Sequence, residues 1–356
     1  MLFLLSYILC PKYQKYNFKL FFEISIILLF FIFLSNANLI YTQLFSEPSH
    51  RTAWVQEAPD FITNLKKRAS KSLKVEPVFL NSKLENEAIA YLQKQSYLDF
   101  AKLENILKNN FIKEFPFGYV LMTHFGEIVG FLGTMFSDRN EREGKNIYCN
   151  LHTWIVNKSY RLNSYLLLLP LMEERYVVTT FTPIKTLIGL YQKFGFQKLE
   201  MIYRVFFSFN LFKFFHTKQF EIKSDERVIK KHLNKMDLKI YNDHIHLKCF
   251  KFLIMDKYNP KNNIFVIAAK NKRKIFHVLD FIYISNNNEF KKYGHNLCTQ
   301  IGSEFNVMFC GQHFLHEKDA LIPEKKLITK DIKSEVCMKN LPTNYNFDTL
   351  YSEFVY

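Results

Sequence analysis

Gly118-Tyr119-Val120-Leu121-Met122-Thr123-His124-Phe125-Gly126-Glu127-Ile128-Val129-Gly130-Phe131-Leu132-Gly133-Thr134-Met135-Phe136 is the stretch on which the fold class turns. It holds two apolar runs of strand length, 118–124 and 127–136, and Phe125-Gly126 between them is a glycine-containing turn suited to a tight hairpin. Upstream, Pro77-Val78-Phe79-Leu80 reads as a short strand. It is followed by a long helical stretch from Lys83 to Phe111, whose Ile89, Leu92, Leu98, Phe100, Leu103, Ile106 and Leu107 recur at helical spacing. Downstream, a charged loop (138–145) leads to a strand at Asn146–Val156, a helix at Asn163–Glu174 and a strand at Tyr176–Phe181. Pro183 opens another helix, Ile184–Phe194, which Gly195 stops, and Gln197–Phe207 closes the block as a strand.

The pattern then recurs. Lys248–Asp256 and Asn263–Lys270 form a second hairpin, Ile275–Ser285 is strand-like, Asn288–Phe305 helical, and Val307–Gly311 strand-like again. Strand, strand, strand, helix, strand repeats the middle of the first block, which points to two related halves; one extended α/β domain with a continuing sheet is the alternative. The Lys-rich stretch 213–237 is the expected boundary. This divides the chain into a hydrophobic segment (1–45), a polar connector (46–75), a first block (76–212), a second (238–325) and a C-terminal extension (326–356).

The chain has 356 residues, and its 48 Lys and Arg against 33 Asp and Glu leave 48 − 33 = +15 charges. Apolar residues reach 48%, enough for a packed core, which excludes a disordered or collagen-like chain. The charge invites a nucleic-acid reading. It is scattered, however, mostly Lys, and accompanied by many Asn, Ile, Phe and Tyr, all residues with AT-rich codons, so compositional drift accounts for it better. The densest cluster, 270–274, lies between two strand-like runs as a solvated hairpin. Six Cys with no C-x-x-C pair exclude a disulfide framework or a zinc ribbon. His244-Ile245-His246 would place two imidazoles on one face of a strand, and His313-Phe314-Leu315-His316 two on a helix or turn. Neither pair has a Cys or carboxylate partner at ligand spacing, so no metal site is expected.

Residues 20–40 are almost wholly apolar, broken by Glu23 and Ser35-Asn36-Ala37-Asn38, and are long enough to span a bilayer as a helix. Lys12, Lys15 and Lys19 precede them, which for an anchor keeps the extreme N-terminus cytoplasmic and the body of the protein tied to a membrane. A signal peptide cut after Ser35-Asn36-Ala37, and a translation start further downstream, remain open beside the anchor.

Three segments carry a family resemblance. Gly118–Leu121 with Glu127–Gly133 looks like the central hairpin of the GNAT-type (Gcn5-related) N-acyltransferases. Trp154-Ile155-Val156-Asn157-Lys158-Ser159-Tyr160-Arg161 looks like their splayed fourth strand and the turn into the acyl-CoA helix. Leu190-Tyr191-Gln192-Lys193-Phe194-Gly195-Phe196 is similar to their L-Y-x-x-x-G-F signature. The resemblance covers about 78–207 and, through the repeat, implies tandem GNAT-like halves. It implies an α/β fold with a mixed, mostly antiparallel sheet flanked by helices, behind the N-terminal hydrophobic helix. It also implies transfer of an acyl group from acetyl-CoA or another acyl-CoA to a small-molecule or peptide amine, with no metal.

By the same resemblance the thioester lies along Val156, and pyrophosphate is held by Arg161 and the N–H groups of Asn163, Ser164 and Tyr165. A helix N-terminus favours an anion through its orphan donors and dipole. The family's two small positions in that turn are Ser164 and Leu166 here. Tyr191 matches the residue that protonates the leaving thiolate. No Asp or Glu lies in 146–156, so His152, which shares a face with Asn150, is the candidate base. A non-catalytic binding or scaffold role, and an acidic acyl-carrier protein as donor drawn by the basic surface, are the alternatives.

Overall fold

The structure, a computed structural model, describes residues 73–355 apart from 96–97, 109–110, 140–146, 173–175, 209–218, 260–261, 274–275, 322–328, 343–344 and 346. The apolar segment 20–40 lies outside the described residues; among those described, no helix is long and apolar enough to cross a membrane.

The chain runs β1 (Leu73–Val78), α1 (Lys83–Gln93), α2 (Phe100–Lys108), β2 (Gly118–Thr123), β3 (Ile128–Asp138) and β4 (Ile147–Val156). A 3₁₀ helix (Lys158–Leu168) then continues into α3 (Leu169–Met172), followed by β5 (Val177–Thr180), α4 (Ile188–Lys193) and β6 (Gln197–Phe207). The second pass is β7 (Phe220–Lys223), α5 (Glu226–His232), α6 (Lys235–Asp243), β8 (Phe250–Asp256), β9 (Ile264–Arg273), β10 (Phe276–Ile284), α7 (Asn287–Glu304), β11 (Phe309–Phe314), a 3₁₀ turn (Glu317–Asp319) and β12 (Thr329–Lys339). The two passes share one order: strand, two helices, three strands, helical segment, strand, short helical segment, strand. The stretch 213–237 contains β7 and α5.

The twelve described strands form one sheet in the order β1-β2-β3-β4-β5-β12-β6-β11-β10-β9-β8-β7. Only β4–β5 and β10–β11 pair in parallel. The order shows an exchange. β12, the last strand of the second pass, pairs with β5 of the first, and β6, the last of the first, pairs with β11 of the second. The two exchanged strands lie antiparallel to each other over Gln197–Phe206 and Thr329–Met338. Residues 326–356, read as an extension, therefore supply a central strand. Its sequence, Thr-Lys-Asp-Ile-Lys-Ser-Glu-Val-Cys-Met-Lys, carries too many charges to announce a buried position.

Burial on both faces explains the near-continuous apolar runs that marked these strands. In β2, Tyr119 and Leu121 pack beneath the 3₁₀ helix and α4, while Val120 and Met122 pack beneath α1 and α2. In β9, Ile264, Val266 and Ala268 face α7, while Phe265, Ile267 and Ala269 face α5, α6 and the C-terminal segment. Each buried Phe, Ile or Leu contributes about 1.5–3 kcal/mol. Pro77 sits opposite Tyr119 in the edge strand β1, where its missing N–H costs no ladder bond.

Two helices depart from the sequence expectation. The run 83–111 breaks into α1 and α2, with the α2 turn opening at Asp99, whose carbonyl accepts from Leu103 N–H. Of the stretch read as a helix from Asn163, residues 163–168 are 3₁₀ and only Leu169–Met172 is α-helical. Pro170 has no N–H to return to Leu166, and its ring would crowd that carbonyl, which instead accepts from Leu169 at 3₁₀ spacing.

One ion cluster fastens the exchange. Arg204 on β6, 1% exposed, forks onto Asp331 of β12 (Nε 2.7 Å, Nη2 2.6 Å) and onto Glu317 (2.8 and 2.9 Å). Removing one partner of a buried pair leaves the other charge desolvated and uncompensated. Arg204→Ala is therefore expected to lower the unfolding free energy by about 3–5 kcal/mol, read from urea denaturation. Glu317→Gln, on the half-exposed side of the cluster, is expected to cost about 1 kcal/mol or less.

Candidate functional site

β4 and β5 pair only at Tyr148–Val177, Cys149–Val178 and Asn150–Thr179, after which β4 runs on alone to Val156. The far edge of β4 is kept by β3, with a bulge between Leu132 and Gly133. Thr153 is the extra residue and takes φ +47°, a backbone region that β-branched residues rarely occupy. The bulge re-aims the strand where it parts from β5, and the sheet acquires a gap between the two parallel strands.

α4 brings Tyr191 under this gap. Its ring is 3% exposed and meets Trp154 and Phe196 edge-on, at 5.5 and 5.1 Å between centroids. Burial, and to a smaller degree Cys337 and then the Glu353 carboxylate, push the Tyr191 hydroxyl well above the ordinary phenol range, although the Thr180 side chain hydrogen-bonds it. The group stays protonated at every physiological pH. Trp154 Nε1 is buried here with no acceptor among the described residues. An unmet N–H in a buried site is costly, and it marks where a ligand carbonyl would fit.

The helical segment after β4 begins at Lys158, with Asn157 at the capping position. Asn157 does not cap: its side-chain oxygen accepts instead from Tyr91 Oη at 3.0 Å, so the first-turn N–H groups keep no side-chain cap. Arg161 is exposed, and Asn163 and Ser164 are half-buried. Tyr165 and Leu166 are buried in the core with Leu167 and Leu168. Leu166, which replaces a small residue of the family pattern, thus turns into the core, and Tyr165, seven residues past the start of the 3₁₀ segment, has its N–H within the helix rather than at the first turn. Val156 stands beyond the last β4–β5 pair, partly buried against the same core. A cavity of about 390 Å³ opens beside Asn157, between α1 and the Gly126 turn, with Glu87, Tyr91, Lys94 and Glu127 in its wall.

His152 lies on β4, 7% exposed, with Nδ1 3.0 Å from Thr153 Oγ1. Its ring occupies the space that a side chain at 133 would need; a Cβ there would sit 2.3 Å from the imidazole, which makes Gly133 the residue that admits it. Desolvation pulls its pKa down to about 4, so it is neutral at pH 7 and a weak base. The other histidines singled out in the sequence sit elsewhere. His244 caps α6 rather than lying on a strand, fully buried between Phe111 and Tyr351 with its Nδ1 on Ile240 O, while His313 lies on β11 rather than on a helix or turn. Among the described residues no three His, Cys, Asp or Glu side chains gather as a metal site, and the five described cysteines are free and buried.

One group at the gap escaped the sequence reading. The last 3₁₀ turn, Glu353–Val355, brings a carboxylate to the end of the β4–β5 ladder. Asn150 Nδ2 donates to Glu353 Oε2 at 2.6 Å and Thr182 Oγ1 to Oε1 at 2.8 Å, while Thr179 Oγ1 donates to Asn150 Oδ1 at 3.2 Å. Ser352-Glu353-Phe354 belongs to no motif, and only the route of the C-terminus past β12 places it there. Asn150, noted only as a neighbour of His152, is the residue that receives it.

Solved structures can now be set beside this geometry. A GCN5-related N-acetyltransferase from Anabaena variabilis ATCC 29413 superposes with a TM-score of 0.50 at 10% identity, over 75% of this chain and 72% of its own. One from Kribbella flavida does so with a TM-score of 0.50 at 9% identity, over 76% and 71%. The fold is that of the GCN5-related N-acetyltransferases. No family model and no curated protein sequence matches the chain, so the GNAT likeness is one of backbone geometry, at an identity where side-chain roles do not transfer.

The buried imidazoles make the GNAT sheet acid-sensitive. His152 and His244 titrate near pH 4 when folded and near 6.5 when unfolded, so between those values the unfolded chain holds the extra protons. Stability is therefore full above about pH 6.5 and falls as the pH drops toward 4. Urea midpoints measured across that range should show this decline, and His152→Gln should reduce the slope by one proton, about 1.4 kcal/mol per pH unit.

Proposed function

We propose that the chain transfers an acyl group from a thioester, acyl-CoA in the simplest case, to an amine held at the β4–β5 gap of its first half. The observation that carries this reading is the gap itself. Two parallel strands part after Asn150–Thr179, a protonated Tyr191 hydroxyl and an unmet Trp154 N–H converge where they part, and an uncapped helical turn lies at the end of the strand that leaves.

Each part has a chemical use. The N–H groups of Lys158 and Ser159, which precede the first 3₁₀ bond from Tyr160 N–H to Asn157 O, offer donors to the pyrophosphate oxygens, and the exposed Arg161 adds a charge-assisted bond. The pantetheine amides would extend the edge that β4 leaves unpaired from Leu151 to Val156, replacing the ladder bonds that β5 does not make. The Trp154 N–H would meet a carbonyl of the donor. When the C–S bond breaks, negative charge collects on sulfur, and Tyr191, held protonated by burial, delivers the proton that quenches it. His152 is neutral and enclosed by Gly133 and Thr153, so in this reading it shapes the bulge.

The second half has its own parallel pair, β10–β11, joined from Val278–Phe309 to Phe281–Gln312. Within that paired stretch Tyr203 Oη and the Asp280 carboxylate, bonded to one another, occupy the space over Gly311. Transfer is assigned to the first half, which holds Tyr191 and the unmet Trp154 N–H.

Titrating the full chain with acetyl-CoA and with longer acyl-CoAs is expected to raise its melting temperature, as any ligand of the folded state must. Arg161→Ala should weaken that binding about five- to tenfold, equivalent to about 1–1.4 kcal/mol. Tyr191→Phe should leave it intact and slow CoA release by roughly 10²-fold or more. No thermal shift with any acyl-CoA would overturn CoA as the donor. A shift with an acylated carrier protein alone would then identify the donor's carrier instead.

A further inference from the structure

The acyl-transfer site has a proton donor for sulfur, but the strand on which the sequence sought a base offers only the enclosed, weakly basic His152. We infer that Glu353, delivered by the C-terminal turn to the end of the β4–β5 ladder, is the base that takes the proton of the acceptor amine. The inference rests on the acyl-transfer reading and adds to it the origin of the base.

Placement comes first. Asn150 and Thr179 form the last β4–β5 pair, and Glu353 is tied to Asn150 and, across the opening, to Thr182 just beyond β5. Its carboxylate therefore spans the point where the two strands part. Thr180, which ends β5 two residues before Thr182, hydrogen-bonds the Tyr191 hydroxyl, so the acid and the carboxylate are both held at the end of that strand. Chemistry comes second. Asn150 and Thr182 are neutral donors, and their bonds, one to each Glu353 oxygen, fix the carboxylate at the opening. Glu353 is only partly buried and Thr182 is exposed, so an amine can reach it from solvent.

The tail that carries Glu353 is anchored independently. Arg139 pairs with Asp348 at 3.0 Å and donates to Leu350 O at 3.1 Å, and Tyr351 Oη donates to Asp243 at 2.7 Å. With Leu350, Tyr351 and Val355 buried in the second half's core, the turn at 353 is held from both sides.

The step balances. The neutral amine nitrogen attacks the thioester carbon, the C–N bond forms, and the C–S bond breaks with its electron pair on sulfur. The amine proton passes to Glu353 and the Tyr191 proton to sulfur, giving an amide and a free thiol. Return of the proton from Glu353 to Tyr191, through solvent at the gap, restores both groups.

The test compares two nucleophiles in the full chain with acetyl-CoA, reading CoA release. Ethylamine is protonated at neutral pH and needs a base; hydroxylamine is largely unprotonated there and does not. Glu353→Gln is expected to slow release with ethylamine by roughly a hundredfold or more and to leave hydroxylamine nearly unaffected, with the acetyl-CoA thermal shift retained. Glu353→Asp, which keeps the carboxylate, should recover at least part of the ethylamine rate. Equal losses with both nucleophiles, no loss with either, or an Asp variant as slow as Gln would each overturn the assignment. So would a wild type that binds acetyl-CoA yet acylates neither nucleophile. A wild type that neither binds acyl-CoA nor releases CoA would instead overturn the acyl-transfer reading beneath it.

Discussion

The antiparallel pairing of β6 with β12 is the constraint on which the rest of the molecule depends. Each strand ends one pass of the chain and completes the sheet of the other, so neither half can close its sheet alone. The Arg204 fork onto Asp331 sits inside this pairing, and a buried guanidinium with both carboxylate oxygens engaged tolerates little slippage. A one-residue shift would turn every side chain of β12 to the opposite face. Val336 and Met338 would then leave the cluster they share with Phe181 and Met201.

The gap between β4 and β5 follows from the same arrangement. β5 is short and is held on its far side by β12, which fixes it through Val178, Thr179 and Thr180. β4 is held by β3 and turned by the Thr153 bulge. The two strands are therefore secured by different neighbours, and their divergence is a property of the sheet rather than of loops. The bulge costs strain, since a β-branched residue at φ +47° is uncommon, and strain of this kind persists only where surrounding packing imposes it. Behind β12 the chain continues to Glu353, so the exchanged strand that closes the sheet also carries a carboxylate to the opening.

Much of this was legible in the sequence, and the misses share a physical cause. The hairpin around Gly126 (φ +85°), the stop at Gly195 (φ +83°) and the strand at 197–207 are local features, set by turn chemistry and apolar runs within a few residues. Arg161 and Tyr191 were singled out as candidates because they sit beside such features. Where the reading failed, a distant partner decided. Lys330, Asp331, Lys333 and Glu335 make β12 look like a solvated tail, yet Asp331 is matched by Arg204 far up the chain. His244 looked like a strand residue because its surroundings, Phe111 and Tyr351, come from elsewhere. The 3₁₀ segment at 158–168 had a local cue in Pro170 that helical spacing alone overrode.

By itself the sequence determined the local elements, their two-pass order and the α/β class, because each element's apolar periodicity and turn residues are short-range. It also singled out Tyr191 and Arg161 as the candidates proposed here for proton donor and anion partner. Only the tertiary structure decided that the passes exchange their last strands, that β4 and β5 part after Asn150–Thr179, that Tyr203 meets Asp280, and that Glu353 meets Asn150. The strand exchange and the two side-chain contacts are long-range pairings between residues 77 to 203 positions apart. They depend on burial, charge matching and strand register across the whole sheet, and no local pattern encodes them.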